Sequence, residues 1–497
     1  MGKPRLDWTE QISQNANMTK ARAGAALLSV SLERNAKETL QSQLLTQLRR
    51  LILNRGIPPG TKLPSSRTLA EELSVSRVTV STVIDQLISE GYLEGRARSG
   101  VYVEAELPEQ LTATPHAPAY DLVDVAANQP APPRPFDVSV PEQGLFPYRQ
   151  WSRHHDQVWR DPESALLTRA DPAGWHPLRV AIADHLREWR GLICAPEQIF
   201  ITSGVVEAIG LIAASALREG DQVLTEDPGF AVLNRALHRN RLIAVPAPVD
   251  RQGFDIKTAI QSTPEAKAAI VTPSRHYPLG MTLPLSRRLE LLEWAVSRNG
   301  YVIEDDFDSE YRYQGQPLPA MMSLNHQDRV IYVGSFSKVV FSALRLGFTV
   351  FPRSLLPNVR AALQQTDAQA SIMVQPVLAR FMQSGDFATH IRRMRRLYAK
   401  RQTALVKAIQ THAEDLLVVD PVPSGMHLVA ILRPALTLRM TDVEAADRAN
   451  NVGLSVQPLS TFYTGEPVLQ GLVLGFAGFS EEQLVPALQD LAKVLRA

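Results

Sequence analysis

One cysteine, Cys194, in 497 residues leaves this chain no internal disulfide and no cysteine-built zinc site, and suits a reducing compartment. Its thiol reads as a small apolar filler. No apolar run approaches the roughly 18 residues that a membrane span requires, and the stretch 21–30 is short and carries Arg22. The expectation is a soluble, cytoplasmic protein with no membrane partner. An excess of one charge is missing too: 52 basic against 51 acidic residues leave +1, so no global field draws the chain to nucleic acid or anionic lipid. Affinity for DNA has to be local. Residues 1–33 lack an apolar period and read either as a disordered arm or as an overlong start. The length itself exceeds a single hydrophobic core and points to about two to four domains.

What is present begins with a small head, residues 34–105. Leu44, Leu45, Leu48, Leu51 and Ile52 follow helical spacing, and Pro58-Pro59-Gly60 stops the chain before Leu63-Pro64-Ser65-Ser66 starts a second helix carrying Leu69, Ala70 and Leu73. A third helix begins at Ser76, with Val80, Val83, Ile84, Leu87 and Ile88 on one stripe and Ser76, Arg77 and Thr79 at its exposed start. Gly91 closes it, and 92–94 and 101–103 read as two short strands joined by the turn 95–100, which holds Arg96 and Arg98. That order is a winged helix-turn-helix. Residues 34–104 hold ten Lys or Arg against seven Asp or Glu, a modest local excess. The first residues of a helix in the major groove reach base edges, so Arg77 is the best candidate base reader, with the wing arginines placed for phosphate or minor groove on double-stranded DNA.

Residues 106–135 are rich in Pro and Ala without an apolar period, and read as a semi-stiff linker. Beyond it, apolar runs at 199–202, 222–225, 268–271 and 301–303 alternate with longer helical segments. That pattern is an α/β body with a buried, largely parallel sheet, 136–497.

Groups that carry chemistry stand at the C-terminal ends of those strands, where open α/β sheets place ligands. After one strand, Ser203-Gly204-Val205 enters a helix whose free amides suit a phosphate. After another come Glu304-Asp305-Asp306, where a carboxylate can pair with a pyridinium nitrogen. A third is followed by Ser335-Phe336-Ser337-Lys338, with Arg345 seven residues on and Asp305 thirty-three residues before the lysine. A lysine amine can close an imine on an aldehyde, and an arginine fork can hold phosphate. Together the four point to pyridoxal phosphate. His154, His155 and Asp156 are chelating residue types, but they fall on an expected surface helix without spaced partners, so no metal is expected.

Two resemblances carry these motifs further. Leu63-Pro64-Ser65-Ser66-Arg67 followed by Leu73-Ser74-Val75-Ser76-Arg77 resembles the GntR family of bacterial regulators, which implies that Arg67, Arg77 and Thr79 contact DNA. The body, through Asp171-Pro172-Ala173-Gly174, Thr202-Ser203-Gly204, Glu226-Asp227-Pro228-Gly229-Phe230, Thr272-Pro273-Ser274, Pro278-Leu279-Gly280, Glu304-Asp305-Asp306 and Ser335-Phe336-Ser337-Lys338 with Arg345-Leu346-Gly347, resembles fold-type I aminotransferases. The fusion is similar to the MocR/GabR subfamily of GntR regulators from about Ala36 to Arg496. By that resemblance Lys338 forms the Schiff base, Asp305 binds the ring nitrogen, Phe230 stacks on the ring, and Gly204, Val205, Ser335, Ser337 and Arg345 surround the phosphate; a head-to-tail homodimer is implied.

Departures from the family pattern bear on activity. Phe307 stands where tyrosine is usual, with Tyr277 as a replacement for its phenol, and Phe230 lacks the hydroxyl often found on the stacking ring. Arg169 occupies the place of a tyrosine lent to the neighbouring subunit's phosphate. The stretch 471–476 has no arginine where aminotransferases hold the substrate carboxylate. Binding therefore survives more readily than turnover. The expectation is a regulator that senses pyridoxal phosphate, or an amine effector reacting with it, and binds operator DNA. Its rivals are an aminotransferase with an accessory DNA-binding head, and a DNA-binding protein whose body is a cofactor-free dimerisation scaffold.

Overall fold

The computed structural model describes residues 30–34, 36, 38–97, 99–105, 132–168, 171–324, 327–366 and 369–497. It divides into two compact units, Met1–Pro130 and Ala131–Ala497.

In the first unit, helix α1 (Leu40–Leu53) buries Leu44, Leu48 and Ile52, which recur every four residues on one face. Helix α2 (Ser66–Glu72) and helix α3 (Arg77–Ser89) start at serine caps, Ser65 and Ser76, whose hydroxyls accept the amides of Thr68 and Thr79. Val80, Val83, Ile84 and Leu87 of α3 close the core. Strands β1 (Leu93–Arg96) and β2 (Gly100–Val103) pair antiparallel, so the wing is longer and its turn tighter than the sequence reading of 92–94 and 101–103. The reason is a third segment: Gly60 and Leu63 donate to the carbonyls of Val103 and Val101, which extends the pairing around β2. The head also begins before residue 34. Val30 and Leu32 pack on its core, and the backbone of Ser31 exchanges hydrogen bonds with the Gln47 amide. Residues 1–29 and most of the expected linker lie outside the described residues.

The second unit is built on an eight-stranded sheet in the order β3-β10-β9-β8-β7-β4-β5-β6. These strands are β3 (Ile199–Thr202), β4 (Gln222–Asp227), β5 (Ile243–Asp250), β6 (Gly253–Phe254), β7 (Ala268–Val271), β8 (Tyr301–Asp306), β9 (Val330–Ser335) and β10 (Gly347–Val350). The five central strands from β9 to β5 run parallel, while β10 runs antiparallel between β9 and β3. Strands β3 and β7 are buried throughout, as expected of a sheet covered on both faces. A second, antiparallel sheet follows in the order β11-β12-β14-β13, made of β11 (Leu417–Val419), β12 (His427–Leu432), β13 (Gln457–Pro458) and β14 (Gly471–Gly475). Its core includes Phe136, wholly buried and bridged to Gly475 of β14, so the segment that follows the expected linker is part of this smaller layer.

Candidate functional site

A cavity of about 590 Å³ opens at the C-terminal ends of β4, β7, β8 and β9, and Met426, His427 and Gln457 of the smaller layer line another side of it. It brings together Gly204, Val205, Phe230, Tyr277, Asp305, Ser335, Ser337, Lys338 and Arg345, residues that the sequence spreads over more than 140 positions. Ser203 is the exception among the expected contacts. It does not line the cavity; its amide is turned to the Glu207 carboxylate at 2.6 Å, one turn into the following helix.

Strand β8 sorts its three carboxylates by pleat. Residues alternate between faces, so Glu304 and Asp306 point one way and Asp305 the other. Expected at a strand end, all three are inside the strand and buried. Glu304 accepts the amides of Met321 and Met322 and faces Arg190 at 3.7 Å. Asp306 takes Arg190 at 2.9 Å and the Tyr332 hydroxyl at 2.5 Å. Asp305 lines the cavity with no hydrogen-bond or ion-pair partner among the described residues. Burial, with the neighbouring Asp306 and Asp308 charges, pushes its carboxyl up to about 7. A buried carboxylate left in that state has unmet demand for a cationic donor, and a protonated ring nitrogen supplies one.

At the opposite end, Gly204 sits at φ 131°, a conformation open to glycine, and starts the helix Val205–Ala216 without a side-chain cap. Its first amides are therefore available to an anion. A side chain at Gly204 would point toward Arg345, 4.0 Å away. Arg345 is itself left-handed, at φ 50°, exposed, and without a hydrogen bond or ion pair among the described residues. Ser335 accepts the Ser337 amide at 3.2 Å on the same rim. Between the two ends stand Phe230 and Tyr277, with ring centroids 5.4 Å apart. Tyr277 also meets Phe307 and His427 edge-on, and its hydroxyl has no partner among the described residues. Burial pushes that hydroxyl up to about 12, so it donates rather than ionises.

The Lys338 amine reaches the carbonyls of Val138 and Ser139 at 3.4 and 3.1 Å, while its own carbonyl accepts the Tyr311 hydroxyl. Burial lowers its pKa, against the opposing charges of Asp308 and Asp137, and a lowered pKa favours the neutral, nucleophilic amine. An unpartnered carboxylate, two aromatic faces, open amides beside a free arginine, and a lysine amine are the set that a pyridinium ring, its phosphate and its aldehyde require.

Sequence reasoning missed four members of this region. Arg190 ends the helix His176–Arg190 and lies far from β8 in sequence, with no local signal. Asp308 and Arg275 form a buried pair at 3.2 Å, and Arg275 also donates to the His427 carbonyl at 2.8 Å. Gly425 makes room for it: a Cβ there would fall 2.2 Å from the guanidinium. The fourth is the backbone of 138–139. Strand β14 is buried and presents no arginine, as the sequence indicated, and Arg275 is bound elsewhere. His154 corrects the surface-helix reading of 154–156: it faces inward, buried against Asp386 at 2.8 Å. Cys194 packs half-buried on the main core, which pushes its thiol up to about 11. Arg169 lies outside the described residues.

In the head, Arg77 stands exposed at the first turn of α3, without a partner among the described residues, next to Val78 at 74 % exposure. Ser76 and Thr79 are tied to each other at 2.8 Å in the cap, so Ser76 shapes the helix start. Arg67 pairs with Glu71 at 3.2 Å on an open surface. Arg96 pairs with Glu94 and lies over the Tyr102 ring at 4.6 Å; Arg98 is outside the described residues. No helix among the described residues is long and apolar enough to cross a membrane, and no cluster of three or more metal-capable side chains occurs among them.

Comparison with known proteins agrees with both halves. Residues 40–103 match the model of the bacterial regulatory proteins of the gntR family, and residues 141–491 that of aminotransferase class I and II. The chain is 35% identical over 477 residues to the probable rhizopine catabolism regulatory protein MocR of Rhizobium meliloti, covering 94% of this chain and 96% of that one. It is 31% identical over 475 residues to the pyridoxine biosynthesis transcriptional regulator PdxR of Corynebacterium glutamicum, covering 94% and 98%. The kynurenine aminotransferase of Pyrococcus horikoshii superposes with a TM-score of 0.66 at 23% identity, over 78% of this chain and 96% of that one. The chain belongs to the MocR-type regulators of the GntR family, transcriptional regulators that join a winged helix-turn-helix to an aminotransferase class I and II body, a fold that implies pyridoxal phosphate.

Proposed function

We propose that this regulator attaches pyridoxal phosphate at Lys338 and reads operator DNA with α3, so that the state of the cavity sets the state of the promoter. The observation that carries the reading is the convergence, in one cavity, of the Lys338 amine, the unpartnered Asp305 carboxylate and the free Arg345 guanidinium. When bound, the cofactor supplies an aldehyde that condenses with amines and a ring that withdraws electrons once its nitrogen is protonated. Asp305 holds the ring proton, Phe230 covers a ring face, and Tyr277 offers its hydroxyl to the ring oxygen. Gly204, Val205, Ser335, Ser337 and Arg345 take the phosphate. In the head, Arg77 reads a base edge, Thr79, Arg67 and the wing residues Arg96 and Arg98 take backbone, and Ser76 fixes the start of the helix.

Sensing is favoured over turnover because β14 brings no arginine to anchor a substrate carboxylate. The effector is the vitamer itself or an amine that exchanges with Lys338; PdxR, by its name a regulator of pyridoxine biosynthesis, supports the former. A homodimer in the cytoplasm, with two heads on paired half-sites, completes the reading. Borohydride reduction of the protein incubated with pyridoxal phosphate, followed by peptide mapping, is expected to place one adduct on Lys338 and none in Lys338→Ala. An adduct on another lysine overturns the assignment.

A further inference from the structure

Residues 135–140 form a strap between the smaller sheet and the cavity. It is fixed at its start, where Ser455 donates to the Pro135 carbonyl at 2.8 Å and Gly475 to the Phe136 carbonyl at 2.8 Å. β14 lies so close that a Cβ on Gly475 would come within 2.3 Å of the Asp137 carbonyl oxygen. It is fixed again beyond its end, where Glu142 receives Arg401 at 2.6 Å and its amide donates to Tyr398 at 3.0 Å. Between these anchors Val138 and Ser139 line the cavity, and their carbonyls are held by side chains: both by the Lys338 amine, and Ser139 also by the Ser342 hydroxyl at 3.4 Å. Phe136, two residues before, is a non-glycine residue at φ 76°, a conformation that persists only while its surroundings hold it.

We propose that Lys338 is a latch on this strap: the free amine ties the carbonyls of 138–139 to the cavity wall, and attachment of the cofactor unties them and loosens the chain that leads to the DNA-binding head. The inference deepens the reading above and rests on Lys338 being the point of attachment. The chemistry forces a choice on one nitrogen. A lysine ammonium has three N–H donors. To attach, the amine loses a proton to solvent, its nitrogen forms a C=N bond with the aldehyde carbon, and the aldehyde oxygen leaves as water. That nitrogen then keeps at most one hydrogen and cannot serve two carbonyls. An amine that exchanges for Lys338 returns the lysine to the strap, so cofactor and effector would move the strap in opposite directions. Asp137 on the strap and Asp308 just after β8 act on this nitrogen, Asp305 within β8, Tyr277, His427 on β12, Arg235 and Arg345 line the same cavity, and none of them is hydrogen-bonded to the carbonyls of 138–139 among the described residues.

Hydrogen exchange of the peptide spanning 136–142, in the full-length protein with and without pyridoxal phosphate, tests the latch. Loading is expected to speed exchange about tenfold, the scale of one lost hydrogen bond. Lys338→Ala is expected to exchange fast in both conditions and to bind operator like the loaded wild type. Lys338→Arg keeps a cationic donor but cannot capture the aldehyde, and is expected to stay slow in both. Unchanged exchange in a sample whose reduced adduct is confirmed by mass on Lys338 overturns the latch and leaves the attachment standing, as does a Lys338→Ala strap as slow as the unloaded wild type. Absence of the adduct defeats the attachment and the latch with it.

Discussion

Helix α3 and strand β8 both present charged side chains, in opposite ways. On α3 Arg77 is exposed, without a partner among the described residues, and adjacent in sequence to the cap that starts the helix. On β8 the carboxylates are buried, and the cation that Glu304 and Asp306 share, Arg190, comes from more than a hundred positions away. DNA reading asks for charge kept in water until the partner arrives, because phosphate contacts release counterions from an accessible surface. Cofactor holding asks for charge already desolvated, with one acceptor left unsatisfied for the ligand to complete. A short contiguous motif suffices for the first, whereas the second needs a folded sheet.

Four changes would sharpen or break that contrast. The largest effect is expected from Arg190→Leu, which strands Glu304 and Asp306 without their cation and should cost about 3–5 kcal/mol of body stability in denaturant unfolding. A loss below about 1 kcal/mol would mean that the pair is dispensable.

Asp305→Asn should weaken cofactor binding by about 2–3 kcal/mol, the worth of a hydrogen bond to a charged group, when titrated by absorbance. It should also change the pH response. Asp305 near 7 and Glu226 near 8 are raised acids, so the folded state binds more protons than the unfolded one and stability falls as pH rises through their folded pKa values. The buried, lowered His276, His390 and His427 are neutral in the folded state, while unfolded histidine, at about 6.5, still gives up its last protons in this window; that opposing trend fades toward about pH 7.5, so the raised carboxyls set the net fall between about pH 6.5 and 8. The unloaded protein is expected to lose melting temperature across that window. Asp305→Asn or bound cofactor should flatten the loss, and identical curves for all three would refute the charge assignment.

In the head, Arg77→Ala is expected to cost about 1–3 kcal/mol in specific operator binding while non-specific binding changes little, as measured by titration on matched and scrambled sites. Smallest is Ser76→Ala, about 1 kcal/mol of head stability through the lost cap, with base preference retained if the serine only shapes the helix.

These two regions also differ in how far the sequence disclosed them. The three helices of the head and the wing follow from period and turn residues; the structure turns the expected helix start at Ser76 into a cap, leaves Ile88 exposed off the apolar stripe, lengthens the wing strands and starts the unit at Val30. For the body, Asp305 and Lys338 could be singled out because each stands just after an apolar run that belongs to a strand, and Arg345 because it lies seven residues beyond Lys338; the structure brings all three to one cavity. The partners that make the site were not legible. Arg190 and Arg275 are arginines like any others until helix packing carries the first inward and the loop after β7 carries the second, and Gly425 carries no mark of the guanidinium it admits. Ser203 shows the converse: it sits within a recognised motif, yet its amide serves the next helical turn. Backbone acceptors such as those of 138–139 leave no trace in residue identity at all.

The seating of Phe136 in the smaller core has a consequence for where the two modules meet. Proline-rich composition runs to residue 135 and the aminotransferase match begins at 141, yet the polypeptide between these marks is already structural to the catalytic-type half. A headless fragment starting at 141 would therefore leave a vacant hole in its β-layer and an open wall beside Lys338, so that severing the modules at the family border would damage the very pocket the cut was meant to isolate.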